Sequence, residues 1–251
     1  MSINAISSVS GHHYHPIRKI FDKTEATIEK EFSKLPVDVP RRSRINTLPT
    51  LFNANYCVGG TLILSAAPDR NTINHFVTML LLEQCDIIIT LMNPERDEWF
   101  DCVSYRECKD IKREQIITLK EGLEMSTLCL GPPEDLRKIT HYYYSEWLDG
   151  HGADPTYVAC LARIALKAKW PLIHCIAGQG RSGTLACVIL AYKMILDGIN
   201  PSQAIPNALS SLRSERANCI HFSEQYVTVY ETVEILLQED GWRPKTWCTI
   251  L

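Results

Sequence analysis

None of the ten cysteines in this sequence forms a Cys-x-x-Cys pair, and no Cys/His set has zinc-finger spacing. Metal knuckles and dithiol redox motifs are therefore absent. No internal repeat and no low-complexity tract occurs. The longest apolar run, from Leu185 to Leu196, is too short to span a bilayer and contains Lys193. The opening residues, MSINAISSVSGHHYHP, lack the charged start and apolar stretch of a secretory signal. There is also no broad basic field. Lys and Arg number 26 against 29 Asp and Glu, giving a net charge of -3 and a pI near 6.2, so nucleic acid is a poor partner. These absences lead us to expect a reducing, cytoplasmic setting in which thiols stay free. Cys160 and Cys187 lie in apolar runs and read as small buried hydrophobes.

The 251 residues are enough for one α/β domain with short extensions, burying roughly 70–75% of the surface of the unfolded chain. Apolar spacing over 17–35 predicts an amphipathic helix that ends before Pro36. We assign it to an N-terminal extension, 1–39, ahead of a catalytic domain at 40–238 and a tail at 239–251. Strands are expected at 61–65 and 86–91 with a helix at 71–84 between them. Two antiparallel strands follow at 115–119 and 126–130, with Gly122 in the turn, and an aromatic strand at 141–147. Asp154-Pro155 reads as N-cap and first helical residue of a helix reaching 169. A strand at 170–174, a glycine-rich loop at 175–180 and a helix at 181–197 come next. Asn200-Pro201 starts another helix, which Pro206 is expected to kink at about 3 kcal/mol if unrelieved. The last helix covers 222–238. The fold class is α/β, a central mixed sheet flanked by helices.

The segment His174-Cys175-Ile176-Ala177-Gly178-Gln179-Gly180-Arg181-Ser182-Gly183-Thr184 carries the chemistry. A strand delivers a cysteine to a loop whose glycines let backbone N–H groups turn inward. The loop ends at a helix N-terminus, where free amides and the macrodipole favour an anion and the thiolate form of Cys175. Arg181 follows six residues after Cys175, and its guanidinium fork matches two oxygens of a phosphoryl group. Ile176, Ala177, Gly178, Gln179 and Gly180 would supply the amide cradle.

This segment resembles the His-Cys-x5-Arg-Ser/Thr signature of the protein tyrosine phosphatase superfamily, in the fuller form of its tyrosine-specific members. The resemblance implies a highly twisted mixed sheet, a phosphocysteine intermediate and no metal or cofactor. Ser182 would hydrogen-bond the thiolate and help it leave. His174 would orient the loop, although the residues alone fit a core histidine bonded to backbone equally well. Trp147-Leu148-Asp149-Gly150-His151-Gly152-Ala153-Asp154-Pro155 is similar to the family's mobile Trp-Pro-Asp loop. Leu148 stands in place of proline, with about two residues inserted before Pro155. Asp149 or Asp154 could be the general acid. Asp149 is preferred, because Asp154 already serves as a helix cap.

For the second step the resemblance points to Arg213-Ser-Glu-Arg216 and the residues after it, with Gln225 holding water and His221 where a first glutamine would stand. Ser43-Arg44-Ile45-Asn46-Thr47 matches the substrate loop at Arg44, but Ile45 replaces its tyrosine and Thr47 an acidic residue. Arg41, Arg42 and Arg44 could also form a basic turn. Glu95 or Glu98 could brace Arg181. The ending Cys248-Thr249-Ile250-Leu251 fits a prenylation box at Cys248, which would allow membrane association, in a resident cell or after delivery into a host cytosol. The expected partner is a phosphotyrosine-containing protein. The alternatives are a dual-specificity or phosphoinositide phosphatase and a phosphotyrosine-binding pseudophosphatase. Nothing in the sequence specifies an oligomeric state.

Overall fold

The computed structural model describes residues 20–36, 52–93, 111–131 and 133–243. The expectations on Arg41, Arg42, Arg44, Ile45, Thr47, Glu95, Glu98 and Cys248 lie outside these residues. Among the described residues, seven strands form one sheet in the order β1-β2-β7-β3-β6-β5-β4. They are β1 (Ala54–Cys57), β2 (Leu62–Ser65), β3 (Ile87–Leu91), β4 (Ile111–Lys120), β5 (Leu123–Leu130), β6 (Arg137–Tyr144) and β7 (Pro171–His174). The four central strands β2, β7, β3 and β6 are parallel, and antiparallel partners flank them at both ends.

Helices cover both faces. Among the described residues, helix α2 (Ile73–Leu82) is the one helix on one side, where Phe76, Met79 and Leu80 pack with Ile63, Ile88 and Leu172. On the other side are α1 (Glu25–Phe32), α3 (Pro155–Lys167), α4 (Arg181–Leu196), α5 (Pro201–Glu215) and α6 (Ser223–Glu239). They bury Leu64, Ile89 and Ile173, which alternate with the first set along the same strands. Strands buried on both faces need near-continuous apolar runs, and β2, β3 and β7 have them. Of the cysteines read as buried hydrophobes, Cys187 is fully buried and Cys160 half-buried.

Four points differ from expectation. The first helix is shorter than 17–35. The Thr24 hydroxyl accepts from the Thr27 amide and starts it at Glu25, while Phe21, ahead of the helix, packs edge-on against Tyr230, with ring centroids 5.0 Å apart. The Glu31 carboxylate also accepts from the hydroxyls of Tyr226 (2.9 Å) and Tyr230 (2.5 Å). Residues 20–36 are thus built into the body rather than appended to it. The aromatic strand runs 137–144, so Trp147 lies beyond its end. Strand β1 was not expected at all. Its four residues are too few for a pattern, and Asn55 interrupts their apolar character. Helix α5 passes unbroken through Pro206, with Ala204, Ile205, Ala208 and Leu209 buried to hold it.

Because the central strands are parallel, their C-terminal ends share one edge of the sheet. That edge is where open α/β sheets place ligands. Strand β7 ends there at His174, leading into the 175–180 loop, and β6 ends there three residues before Trp147.

Candidate active site

The 175–180 loop is organised by its carbonyls. The Cys175 carbonyl accepts from His174 Nδ1 at 3.4 Å, and that of Ile176 from the Ala67 amide at 2.8 Å. The carbonyls of Ala177 and Gly178 accept from the Arg216 guanidinium at 2.8 and 2.5 Å. Gln179 accepts from the Ile220 amide at 3.1 Å, and Gly180 from the Thr184 amide at 2.8 Å. Six consecutive carbonyls are thereby turned outward and satisfied. The amides of Ile176–Gly180 donate to no acceptor among the described residues, which leaves them for an anion. Gly178 has φ +66°, and a Cβ there would stand 2.1 Å from the Ser65 carbonyl oxygen, so only glycine fits. At the end of the loop, Gly180 is the N-cap of the 16-residue helix α4 and carries no side chain to compete for the free amides.

A cavity of about 180 Å³ opens over the loop. It is lined by Asp149, Cys175, Ile176, Ala177, Gly180, His221, Phe222 and Gln225. Arg181 is completely buried, and its terminal nitrogens tie the loop after β6 to this wall. One donates to the Trp147 carbonyl at 2.9 Å and the other lies 3.1 Å from Asp149 Oδ1. Trp147 is buried and donates its indole N–H to the His151 carbonyl at 2.9 Å, which closes the inserted turn on itself. Leu148, where the family pattern has proline, is half exposed. Asp154 faces away from the cavity and caps α3, accepting from the Thr156 amide at 2.8 Å. Asp149, the aspartate preferred from the sequence, lines the cavity, and Asp154 stands at a helix end.

Among the buried polar groups that lack hydrogen-bond partners within the described residues, two stand at or beside the cavity. One is the Ser182 hydroxyl in the first turn of α4. The other is the amide of Gln225, fully buried and lining the cavity. Such groups are costly unless a ligand or water completes them. His221 stands at the mouth of the cavity, edge-on to the exposed Phe222. Burial of its inner edge and the nearby Arg213 hold its pKa below the ordinary imidazole value, against the pull of Asp149. Arg213 does not reach the cavity. It donates to the carbonyls of Cys219, Ile220 and Pro36, holding the segment before α6. In that segment Ile220 has φ +58°, a strained value for a β-branched residue.

The protein-tyrosine phosphatase family model matches residues 41–234. This chain belongs to the protein-tyrosine phosphatase family. Tyrosine-protein phosphatase 2 of Dictyostelium discoideum is 28% identical over 204 residues, covering 73% of this chain and 54% of that protein. Tyrosine-protein phosphatase 69D of Drosophila melanogaster is 28% identical over 217 residues, covering 75% of this chain and 15% of that protein. The chain thus spans about half the length of the first relative and a small part of the second. Among solved structures, the catalytic domain of human protein tyrosine phosphatase non-receptor type 18 superposes with a TM-score of 0.66 at 21% identity, covering 74% of each chain. Trypanosoma brucei TbPTP1 gives 0.69 at 18% identity, covering 87% of this chain and 93% of its own. At these identities the likeness bears on the fold, which is the mixed sheet flanked by helices expected from the sequence.

Several residues that shape the candidate site escaped the sequence reading. Asn53 and Asn55 accept from Arg216 at 3.2 and 2.6 Å and anchor it behind the loop. Their i, i+2 spacing beside an apolar strand was the available signal. Glu224 accepts from the Gly152 amide at 3.2 Å and lies 3.3 Å from His151 Nδ1, fastening the inserted turn to α6. Phe222 gave no signal beyond an aromatic beside His221.

Proposed function

We propose that this chain hydrolyses phosphotyrosine in proteins through a phosphocysteine intermediate. The Cys175 thiolate attacks phosphorus while the P–O bond to the tyrosine ring breaks, and Asp149 gives its proton to the departing phenolate. Water then attacks the phosphoenzyme, the P–S bond breaks, and Asp149 takes the proton back, releasing phosphate and the thiolate. Arg181 and the loop amides hold the phosphoryl oxygens, supplying charge stabilisation already in place before reaction. Ser182 assists the sulfur as leaving group, Gln225 orients the water, and His221 borders that water site.

The observation that carries this reading is the run of outward, satisfied carbonyls from Cys175 to Gly180, with Asp149 lining the same cavity as Cys175. Turnover of para-nitrophenyl phosphate by the unaltered chain and by Cys175→Ser tests it. Equal rates would defeat an enzymatic role. Rates on phosphotyrosine peptides, phosphoserine peptides and phosphoinositides then separate tyrosine specificity from the dual-specificity and lipid alternatives.

A further inference from the structure

On the α2 face of the sheet, a line of buried polar groups crosses five strands and ends at the nucleophile. Arg113 Nε on β4 donates to Ser126 Oγ on β5 at 2.8 Å. Ser126 Oγ lies 3.3 Å from His141 Nδ1 on β6. His141 Nε2 lies 2.9 Å from Thr90 Oγ1 on β3, and the same hydroxyl lies 2.8 Å from His174 Nε2 on β7. His174 Nδ1 then meets the Cys175 carbonyl at 3.4 Å. Ser126 and His141 face each other across the ladder, as do Thr90 and His174, so the strand register itself builds the line.

The two ends determine the direction of every bond between them. A carbonyl only accepts, so His174 carries its proton on Nδ1. Both rings are neutral, because burial holds His141 well below the ordinary imidazole value and, with Arg181 nearby, brings His174 down to about 4. Neutral His174 therefore accepts at Nε2, and Thr90 has spent its one proton there. Thr90 must accept from His141, whose proton is on Nε2. His141 Nδ1 then accepts from Ser126, and Ser126 accepts from Arg113, which can only donate. No link conflicts with another. A guanidinium at one end and a carbonyl at the other polarise the chain in a single sense, which strengthens its members cooperatively.

We infer that Arg113, Ser126, His141 and Thr90 are positioning residues that fix the His174 tautomer and so aim the Cys175 loop. The inference rests on Cys175 being the nucleophile. Other groups bear on Cys175 as well: Asp149 and His221 line the same cavity, Arg181 pairs with Asp149, and Arg216 and Cys219 lie behind the loop. Arg113 is partly neutralised by Glu124 at 2.7 Å and lies over the Tyr143 ring, 5.9 Å from its centroid.

Long-range ¹⁵N–¹H correlation on the unaltered protein reads the tautomers without substrate. The expected result is Nδ1–H on His174 and Nε2–H on His141; the opposite tautomer at either ring overturns the proposal, whether or not the protein turns over substrate. Thr90→Val keeps shape and removes the hydroxyl, while Thr90→Ser keeps the hydroxyl. Valine should mix the His174 tautomers and lower kcat/KM about tenfold, the scale of a lost positioning contact, and serine should restore both. A valine variant with unchanged tautomers and kcat/KM also overturns it. If valine prevents folding, Arg113→Met, at the outer end of the line, gives the same two readouts. Failure of the phosphatase reading is seen separately, as no turnover of para-nitrophenyl phosphate by the unaltered chain.

Discussion

Two neutral imidazoles buried under the active-site loop make the protein acid-labile in a definite range. His174 titrates near 4 in the folded chain, held down by burial and by Arg181, whereas an unfolded histidine titrates near 6.5. Above 6.5 neither state binds the proton and nothing is lost. As pH falls below 6.5 the unfolded chain takes up a proton that the folded chain refuses, so stability drops until the folded group titrates. His174 alone then removes about 2 kcal/mol by pH 5 and about 3 kcal/mol by pH 4. His141 is shifted the same way by burial, Arg113 and His174, and adds to the loss. Carboxylates with lowered pKa values, such as Asp69 and Asp240, act in the same direction but only below their unfolded range near 4, so the interval from pH 6.5 to 5 belongs to histidine. Against a total of about 5–15 kcal/mol for a domain, this is a large share. Urea unfolding followed by tryptophan fluorescence at pH 7.5, 6 and 5 should show the midpoint falling with an unchanged slope. A flat stability across that interval, or a His174 ring that titrates above pH 5.5 by NMR, would refute the burial reasoning.

Further outcomes follow from the geometry of the site. Asp149→Asn should lower kcat on phosphotyrosine by about 10²–10⁴, and less on para-nitrophenyl phosphate, whose leaving group needs little protonation. Asp154→Ala should leave kcat near wild type and cost about 1 kcal/mol in thermal or urea unfolding, as a lost helix cap. Gly178→Ala forces a Cβ against the Ser65 carbonyl at positive φ, so about 1–3 kcal/mol of stability and about 10²-fold in kcat/KM should be lost, together with orthovanadate binding. Arg216→Met leaves the Ala177 and Gly178 carbonyls without donors, at about 1–3 kcal/mol for each buried group, and should weaken vanadate inhibition. Arg216→Lys should not restore it, because a single ammonium cannot replace a fork that holds four oxygens.

The parts legible in the sequence were those written in consecutive residues. The strand, glycine loop and helix from 170 to 197 could be placed closely because apolar run, glycines and helix N-terminus follow one another. Asp154 could be read as a cap because capping is a contact between near neighbours. What stayed hidden depends on residues far apart in the chain. Arg213 and Arg216 look alike in sequence, yet one secures the segment before α6 and the other the 175–180 loop. The difference lies in Asn53 and Asn55, some 160 residues earlier. The Arg113-to-His174 line exists only through strand register, and no local pattern marks its members. Strand β1 was missed because four residues are too few for a two-residue period to register.

The most direct measurement is acid quench of Gln225→Ala during turnover of a phosphotyrosine peptide, followed by peptide mass spectrometry. Slowed hydrolysis in this variant should leave one phosphoryl group on the fragment bearing Cys175, and none when Cys175 is also serine. Tyrosine release with no phosphoryl group on that fragment, or with the group on another residue, would contradict covalent catalysis by Cys175.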